Sequence, residues 1–231
     1  MKPKVIAFVP IRSGSKSIFN KNIKSFCGKP LVYWIAKALN DAPNVDEIYI
    51  GTDEIEPYMN IIRNFNLNKV NLYLRDAENS RDESTTEDVM LEFLKYHING
   101  YNGDDIFMIV QATSPMTTSI QFDSAIEQYK REENESMLSC VRFKRFLWKK
   151  NGVPFNYDFT KRPLRQEWDG SFLENGSFYI NRITNILRDE CRLTNPVGIY
   201  ILPEWHLYEI DEPEDWPVME KIFRKHILIG E

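Results

Sequence analysis

The sequence of 231 residues is short of the features that mark several protein classes. Its three cysteines, Cys27, Cys140 and Cys191, are an odd and widely spaced set. They exclude a disulfide framework or zinc ribbon and make a reducing cytoplasm the default compartment. The three histidines, His97, His206 and His226, have no metal-ligand spacing, and no Cys–His nucleophile pattern occurs. No apolar run approaches the roughly 18 residues of a membrane span, so no membrane partner is expected. The opening Met1-Lys2-Pro3-Lys4-Val5 leads into one short apolar stretch that stops at Pro10, and it reads as a first strand rather than a signal peptide. Positive charge is not in excess: 29 Lys and Arg face 34 Asp and Glu, for a net charge of −5. Such a chain does not hold nucleic acid by bulk charge, and any anion it binds needs a local cluster. Neither Gly-x-x-x-x-Gly-Lys-Ser/Thr nor Gly-x-Gly-x-x-Gly occurs, so a P-loop and a dinucleotide fingerprint are both absent.

What is present suits a folded globular chain. Apolar residues make up 42% and aromatics 13%, enough for a sizeable core and too many for disorder. The length fits a single domain, residues 1–231, with room for an insertion. Strand-like and helix-like segments alternate. Val5–Val9 is a continuous apolar run, as a strand buried on both faces requires. Pro30 then opens a helix with Leu31, Val32, Ile35 and Leu39 on one stripe. Glu47–Ile50 reads as strand, 55–65 as helix and Val70–Leu74 as strand. Ser84-Thr85-Thr86-Glu87 has the capping-box form, which puts a helix N-cap at Ser84. Ile106–Val110 is a further buried strand, and Thr118-Ser119-Ile120-Gln121 is a second capping box. Ser136–Val141 and segments near Phe178–Ile180 and Gly198–Leu202 read as strands, and Pro213–Arg224 as a last helix. This rhythm predicts an α/β fold on a mostly parallel sheet. It breaks at about 142–176, where Arg and Lys are scattered among Trp, Phe, Pro and Asn, and this stretch reads as an excursion from the sheet.

Ligands of open α/β sheets bind beyond the carboxyl ends of the strands. After the first strand comes Arg12-Ser13-Gly14-Ser15-Lys16, running on to Lys21-Asn22, which can wrap phosphates with backbone N–H groups and cations. The plain alternative is a solvated basic turn. Gln111-Ala112-Thr113-Ser114-Pro115 ends the Ile106–Val110 strand and suits hydrogen bonding to a sugar or base, or simply a turn. Glu209 and Asp211, two apart on an extended segment, share a side and present hard oxygen ligands of the type Mg²⁺ uses. Asp211-Glu212-Pro213-Glu214 equally has the form of a helix cap. Arg165, inside the excursion, could grip a carboxylate bidentately, and Asn175-Gly176 could be a hairpin turn.

Together these segments resemble the cytidylyltransferases that make CMP-activated nonulosonic acids, chiefly CMP-sialic acid synthetases. The likeness runs from Ile6 to about Val218 and includes Arg162–Gly170 and Glu174–Tyr179, a stretch closest to the animal-type enzymes. It implies a Rossmann-like nucleotidyltransferase (glycosyltransferase-A-like) fold, with helices on both faces and an inserted dimerisation element. It also implies transfer of CMP from CTP to a nonulosonic sugar with Mg²⁺. On this resemblance Arg12 and Lys21 neutralise the CTP phosphates in the loop of Ser13, Gly14, Ser15 and Lys16. Asn22 and Gln111 bond the ribose, while Arg75 and the Ser84–Thr86 loop edge the cytosine. Thr113 and Ser114, with Gln111, line the sugar site. Arg165, Gln166 and Tyr179 contact the sugar, the excursion carrying Arg165 or its neighbours to the partner subunit of a homodimer. Asp211 binds the metal, with Glu209 beside it.

The sequence departs from the family pattern in several places. Glu209 stands where Asp is usual, Met116-Thr117 where Leu-Arg is common, and Ser17 where Gly is common, with Phe19 just before Asn20. No side chain is identified as a general base. The alternatives are a CMP-KDO or other CMP-ulosonate synthetase, and a non-catalytic CTP-binding protein on the same fold.

Overall fold

The computed structural model describes residues 2–228, so residue 1 and residues 229–231 of the single-domain reading lie outside the described residues. In chain order the elements are β1 (Val5–Pro10), β2 (Ser25–Phe26), β3 (Lys29–Pro30), α1 (Leu31–Asp41), β4 (Glu47–Thr52), α2 (Glu56–Asn64), β5 (Val70–Leu74) and α3 (Thr86–His97). They continue with β6 (Ile106–Val110), α4 (Ser119–Arg131), β7 (Ser136–Phe143), β8 (Ser171–Arg182), α5 (Ile183–Asp189), β9 (Val197–Leu202) and α6 (Asp215–His226). Seven strands form one sheet in the order β5-β4-β1-β6-β8-β7-β9. Only β8 runs antiparallel to its neighbours, so the sheet is mixed and mostly parallel, as the alternating pattern predicts.

The apolar runs are explained by burial on two faces. On β1, Val5, Ala7 and Val9 join a core built with α1, α2 and α4, while Ile6 and Phe8 point to the other face, against α3 and α5. Phe8 is fully buried, with ring centroids 4.8 Å from Phe93 and 5.8 Å from Phe107. A third cluster packs α6 onto the β2–β3 ribbon and the start of α1, with Phe26 edge-on to Trp216 and Phe223.

Several local expectations need correction. The capping box before α3 is one residue later than Ser84: Thr85 Oγ1 accepts from the Asp88 N–H, and the Asp88 carboxylate accepts from the Thr85 N–H. The box at Thr118 and Gln121 forms as expected. Asp211 does not cap α6. Instead Asp215 reaches back to accept from the N–H groups of Asp211 and Glu212. The excursion is shorter than 142–176, because β7 continues to Phe143 and β8 begins at Ser171. Asn175-Gly176 is not a hairpin turn but an irregularity within β8, where the register against β7 shifts between Leu138 and Cys140. The seven-residue helix α5 had no counterpart in the sequence reading.

Candidate active site

From β1 the chain steps outward to β4 and β5, then returns to β6 on the other side of β1. This reversal opens a crevice beyond the carboxyl ends of β1 and β6, the place where α/β sheets hold ligands. A cleft of about 470 Å³ lies there. One wall is the loop after β1, with Arg12, Lys16, Lys21 and Asn22, and the opposite wall is Gln111 and Thr113 after β6. Arg75 and the start of α3, Ser84 to Thr86, close a third side, and Glu212 stands at the rim.

Each cation is held differently. Lys21 is nearly buried, its side chain 13% exposed. Its Nζ donates to the Ile210 carbonyl at 2.9 Å and stands 3.6 Å from Asp211 Oδ1. Arg12 and Lys16 both pair with the single carboxylate of Asp82, Lys16 at 2.5 Å. These two partners hold the Asp82 carboxyl below its ordinary range. Arg75 is buried, donates to the carbonyls of Ile11 and Asn79, and leaves its Nε without a partner. Burial lowers the pKa of its guanidinium. The loop after β1 is anchored by Asp53, which accepts from the Ser13 N–H at 2.8 Å and from its hydroxyl at 2.6 Å. Asn22 is buried and donates to the Arg12 carbonyl at 3.2 Å.

The structure therefore gathers Arg12, Ser15, Lys16, Lys21, Asn22, Arg75, Thr86, Gln111 and Thr113 around one cleft. Ser13 and Gly14 belong to the same loop but are not among its lining residues. Ser114 is buried behind it, with an unpartnered Oγ. Tyr179 is also away from the lining. Its ring is buried in the α3 face of the core and its hydroxyl donates to Glu174. Arg165 and Gln166 are exposed on the excursion, and Arg165 lines a separate hollow with Phe146, Arg162 and Trp168. Two acidic residues that support the site, Asp53 and Asp82, have no role in the sequence reading, and Glu212 enters it only within a helix-cap motif. Only Asp53 carried a signal, its position at the tip of β4.

Among the described residues, no group of three or more His, Cys, Asp and Glu side chains is placed to hold a metal. Mg²⁺ does not require one, since it commonly takes one or two carboxylates and completes its shell from water and phosphate. Asp211 is largely exposed beside Lys21, and neither it nor Glu209 is among the residues lining the cleft. Glu209 lies against Gly176, and burial, then the Asp211 charge, push its carboxyl up to about 7. This donor set fits a hard divalent cation, whose charge would relieve the repulsion between the two acids.

A mostly parallel sheet with a cation-lined crevice at its switch point is a Rossmann-like architecture suited to a phosphorylated ligand. The profile of a family described as Cytidylyltransferase matches residues 6–227. The chain belongs to the cytidylyltransferase family. It is similar to N-acylneuraminate cytidylyltransferase of Oncorhynchus mykiss, with 33% identity over 229 residues covering 95% of this chain and 50% of that protein. It is also similar to N-acylneuraminate cytidylyltransferase B of Danio rerio, with 31% identity over 222 residues, 93% of this chain and 50% of that protein. The chain thus spans about half the length of these relatives. Among solved structures, CMP:2-keto-3-deoxy-manno-octonic acid synthetase complexed with CTP shares the fold, with a TM-score of 0.67 at 12% identity over 97% of this chain and 100% of that chain.

Proposed function

We propose that this chain transfers CMP from CTP to the anomeric hydroxyl of a sialic-type nonulosonic acid and releases pyrophosphate. The observation that carries this reading is the convergence of Arg12, Lys16 and Lys21 on one strand-end cleft opposite Gln111, in a member of the cytidylyltransferase family. The similarity to animal N-acylneuraminate cytidylyltransferases supports the sialic type of sugar.

In this reading the sugar oxygen attacks the α-phosphate in line, and the bond to the β-phosphate oxygen breaks. The triphosphate takes Arg12 and Lys16 from Asp82, and Lys21 meets it from the floor. Cations converging on one cleft, Lys21 enclosed and Arg12 and Lys16 nearer solvent, are suited to absorb charge as pyrophosphate departs. The unpartnered Nε of Arg75 and the polar start of α3 offer donors and acceptors to the base, and Asn22 and Gln111 to the ribose. Asp211, with Glu209, would hold Mg²⁺, which when bound supplies further charge neutralisation at the phosphates.

Thr113 and the buried Ser114 fall on the sugar side. Arg165 and Gln166 act, in this reading, on the cleft of the partner subunit in a homodimer. The excursion supports this with an exposed apolar set, Trp148, Val153, Phe155, Phe159 and Leu164, of the kind that pairing covers. A cytoplasmic setting is supported by three free cysteines, and no helix is long and apolar enough to cross a membrane among the described residues.

The test is pyrophosphate release from CTP and Mg²⁺ with N-acetylneuraminate, Kdn, legionaminate, pseudaminate and KDO offered separately. Release with a sialic-type sugar supports the reading, release with KDO alone moves the chain to the KDO enzymes, and CTP binding without release from any sugar overturns catalysis. Arg12→Ala should bring turnover close to background while the protein stays folded.

A further inference from the structure

The start of α3 forms one wall of the cleft, and Val89 seats it by both lining the cleft and packing into the core with Met90, Phe93 and Leu94. The Thr85–Asp88 capping box closes its first turn, and a second device ties that turn across to the segment before β9. Glu87, next to the lining residue Thr86, makes a two-point pair with Arg192: Nε to Oε1 at 2.5 Å and Nη2 to Oε2 at 2.6 Å. The two side chains are only 19% and 27% exposed, so this is not a solvated surface pair. The Arg192 guanidinium also lies over the Tyr179 ring, 4.8 Å from its centroid.

The arrangement continues beyond Tyr179. Its hydroxyl donates to Glu174, the residue at which β8 leaves regular register. Two residues past the irregularity at Asn175, the Ser177 carbonyl accepts from the Gln111 N–H at 3.1 Å. Directed contacts therefore run from the α3 wall through Arg192 and Tyr179 to Glu174, and the β8 backbone continues from there to Ser177 and the Gln111 wall. Arg192 is itself anchored, since its carbonyl accepts from Asn181 Nδ2 at 3.2 Å on β8. It is not among the residues lining the cleft.

We propose that Arg192 is a positioning residue that holds the α3 wall of the cleft at a fixed distance from the Gln111 wall, and so sets the affinity for the nucleoside part of the substrate. This rests on the reading of the cleft as a CTP site. Two-point geometry and the stacked ring fix both the direction and the reach of the guanidinium, which a lysine cannot reproduce. The inference also accounts for Tyr179 without a sugar: its ring and hydroxyl carry the link between Arg192 and Glu174.

The test is CTP binding by calorimetry on the full chain, with melting temperature recorded for every variant. Arg192→Met and Glu87→Gln should each weaken CTP binding about tenfold, and the double variant should be no weaker than the weaker single, as expected for two members of one contact. Arg192→Lys should fall between. Leu193→Ala is the comparator, because Leu193 packs on the same core face without entering the ion pair. It should lower the melting temperature and leave CTP affinity unchanged. Parental affinity in Arg192→Met, additive losses in the double variant, or an equal loss in Leu193→Ala would each overturn the proposal. A parental chain that fails to bind CTP would remove the reading of the cleft, and this inference with it.

Discussion

Replacing Lys21 by Met asks whether the floor of the cleft is built for phosphate. The ammonium group is nearly enclosed and held by the Ile210 carbonyl at 2.9 Å. Its ion-pair partner, Asp211, is 3.6 Å away with a side chain 68% exposed, and Glu209 and Asp215 also lie within reach of its charge. The pair with Asp211 therefore contributes little to stability, of the order of 0–1 kcal/mol for such exposed partners. Methionine keeps the apolar stem and its packing. A charge-assisted bond to phosphate in a shielded site is worth about 1.5–3 kcal/mol, or roughly 10- to 150-fold in affinity. Lys21→Met should thus weaken CTP binding, measured by calorimetry, by at least about tenfold, while thermal melting moves by only a few degrees. Cytidine, which lacks phosphates, should bind parent and variant alike. Unchanged CTP affinity, or an equal loss for cytidine, would refute the assignment of Lys21 to phosphate.

Other outcomes follow from the same geometry. Asp82→Asn releases Arg12 and Lys16 from their shared partner and should tighten CTP binding by about a factor of a few, read in the same titration. Gly51→Ala would put a methyl 2.5 Å from Cζ of Phe8, whose ring is locked against Phe93 and Phe107; denaturant unfolding should show a loss of about 1–3 kcal/mol. The raised carboxyl of Glu209 means that the folded chain keeps a proton which the unfolded chain releases near its ordinary value of 4.5. That contribution is complete below 4.5 and lost as pH rises through about 7. Without added metal, Glu209→Gln should melt with the parent near pH 4.5 and above it at pH 8; equal melting at both would contradict the burial of this carboxyl.

Much of this fold was legible because its signals are local. The unbroken apolar run of β1 announces burial on two faces, and Thr118 with Gln121 announces the start of α4. The same rule slipped by one residue at Ser84, because Thr85 and Asp88 form an equivalent box with better partners. Helix α5 is too short to complete a periodic stripe, and its N-cap Arg182 makes no side-chain capping bond. Asn175-Gly176 resembles a turn because Gly176 does take a positive φ of 67°, but it spends that freedom on a strand irregularity against Glu209. The site divides in the same way. Cations clustered along a few residues after β1 can be seen in the sequence. The pairing of Arg12 with Asp82, 70 positions away, depends on how two loops meet. The resemblance assigns Tyr179 to the sugar; an alternating strand does not tell which face a side chain takes, and the structure packs this ring on the α3 face with its hydroxyl on Glu174.

The reversed direction of β8 has a consequence for how such a chain can diversify. Because β7 and β8 are antiparallel, the chain leaves the sheet at Phe143 and re-enters at Ser171 on the end that carries the cleft. A parallel partner would have required a crossover spanning the sheet, with its length dictated by that span. Here residues 144–170 join the sheet at their two ends, with Asn156 bonded to the Ser171 hydroxyl at the start of β8. Doubling such a loop costs only about 0.6 kcal/mol in closure entropy. The excursion can lengthen, shorten or change its chemistry without moving β1 or β6, leaving the cation-lined crevice as a constant beside a variable surface.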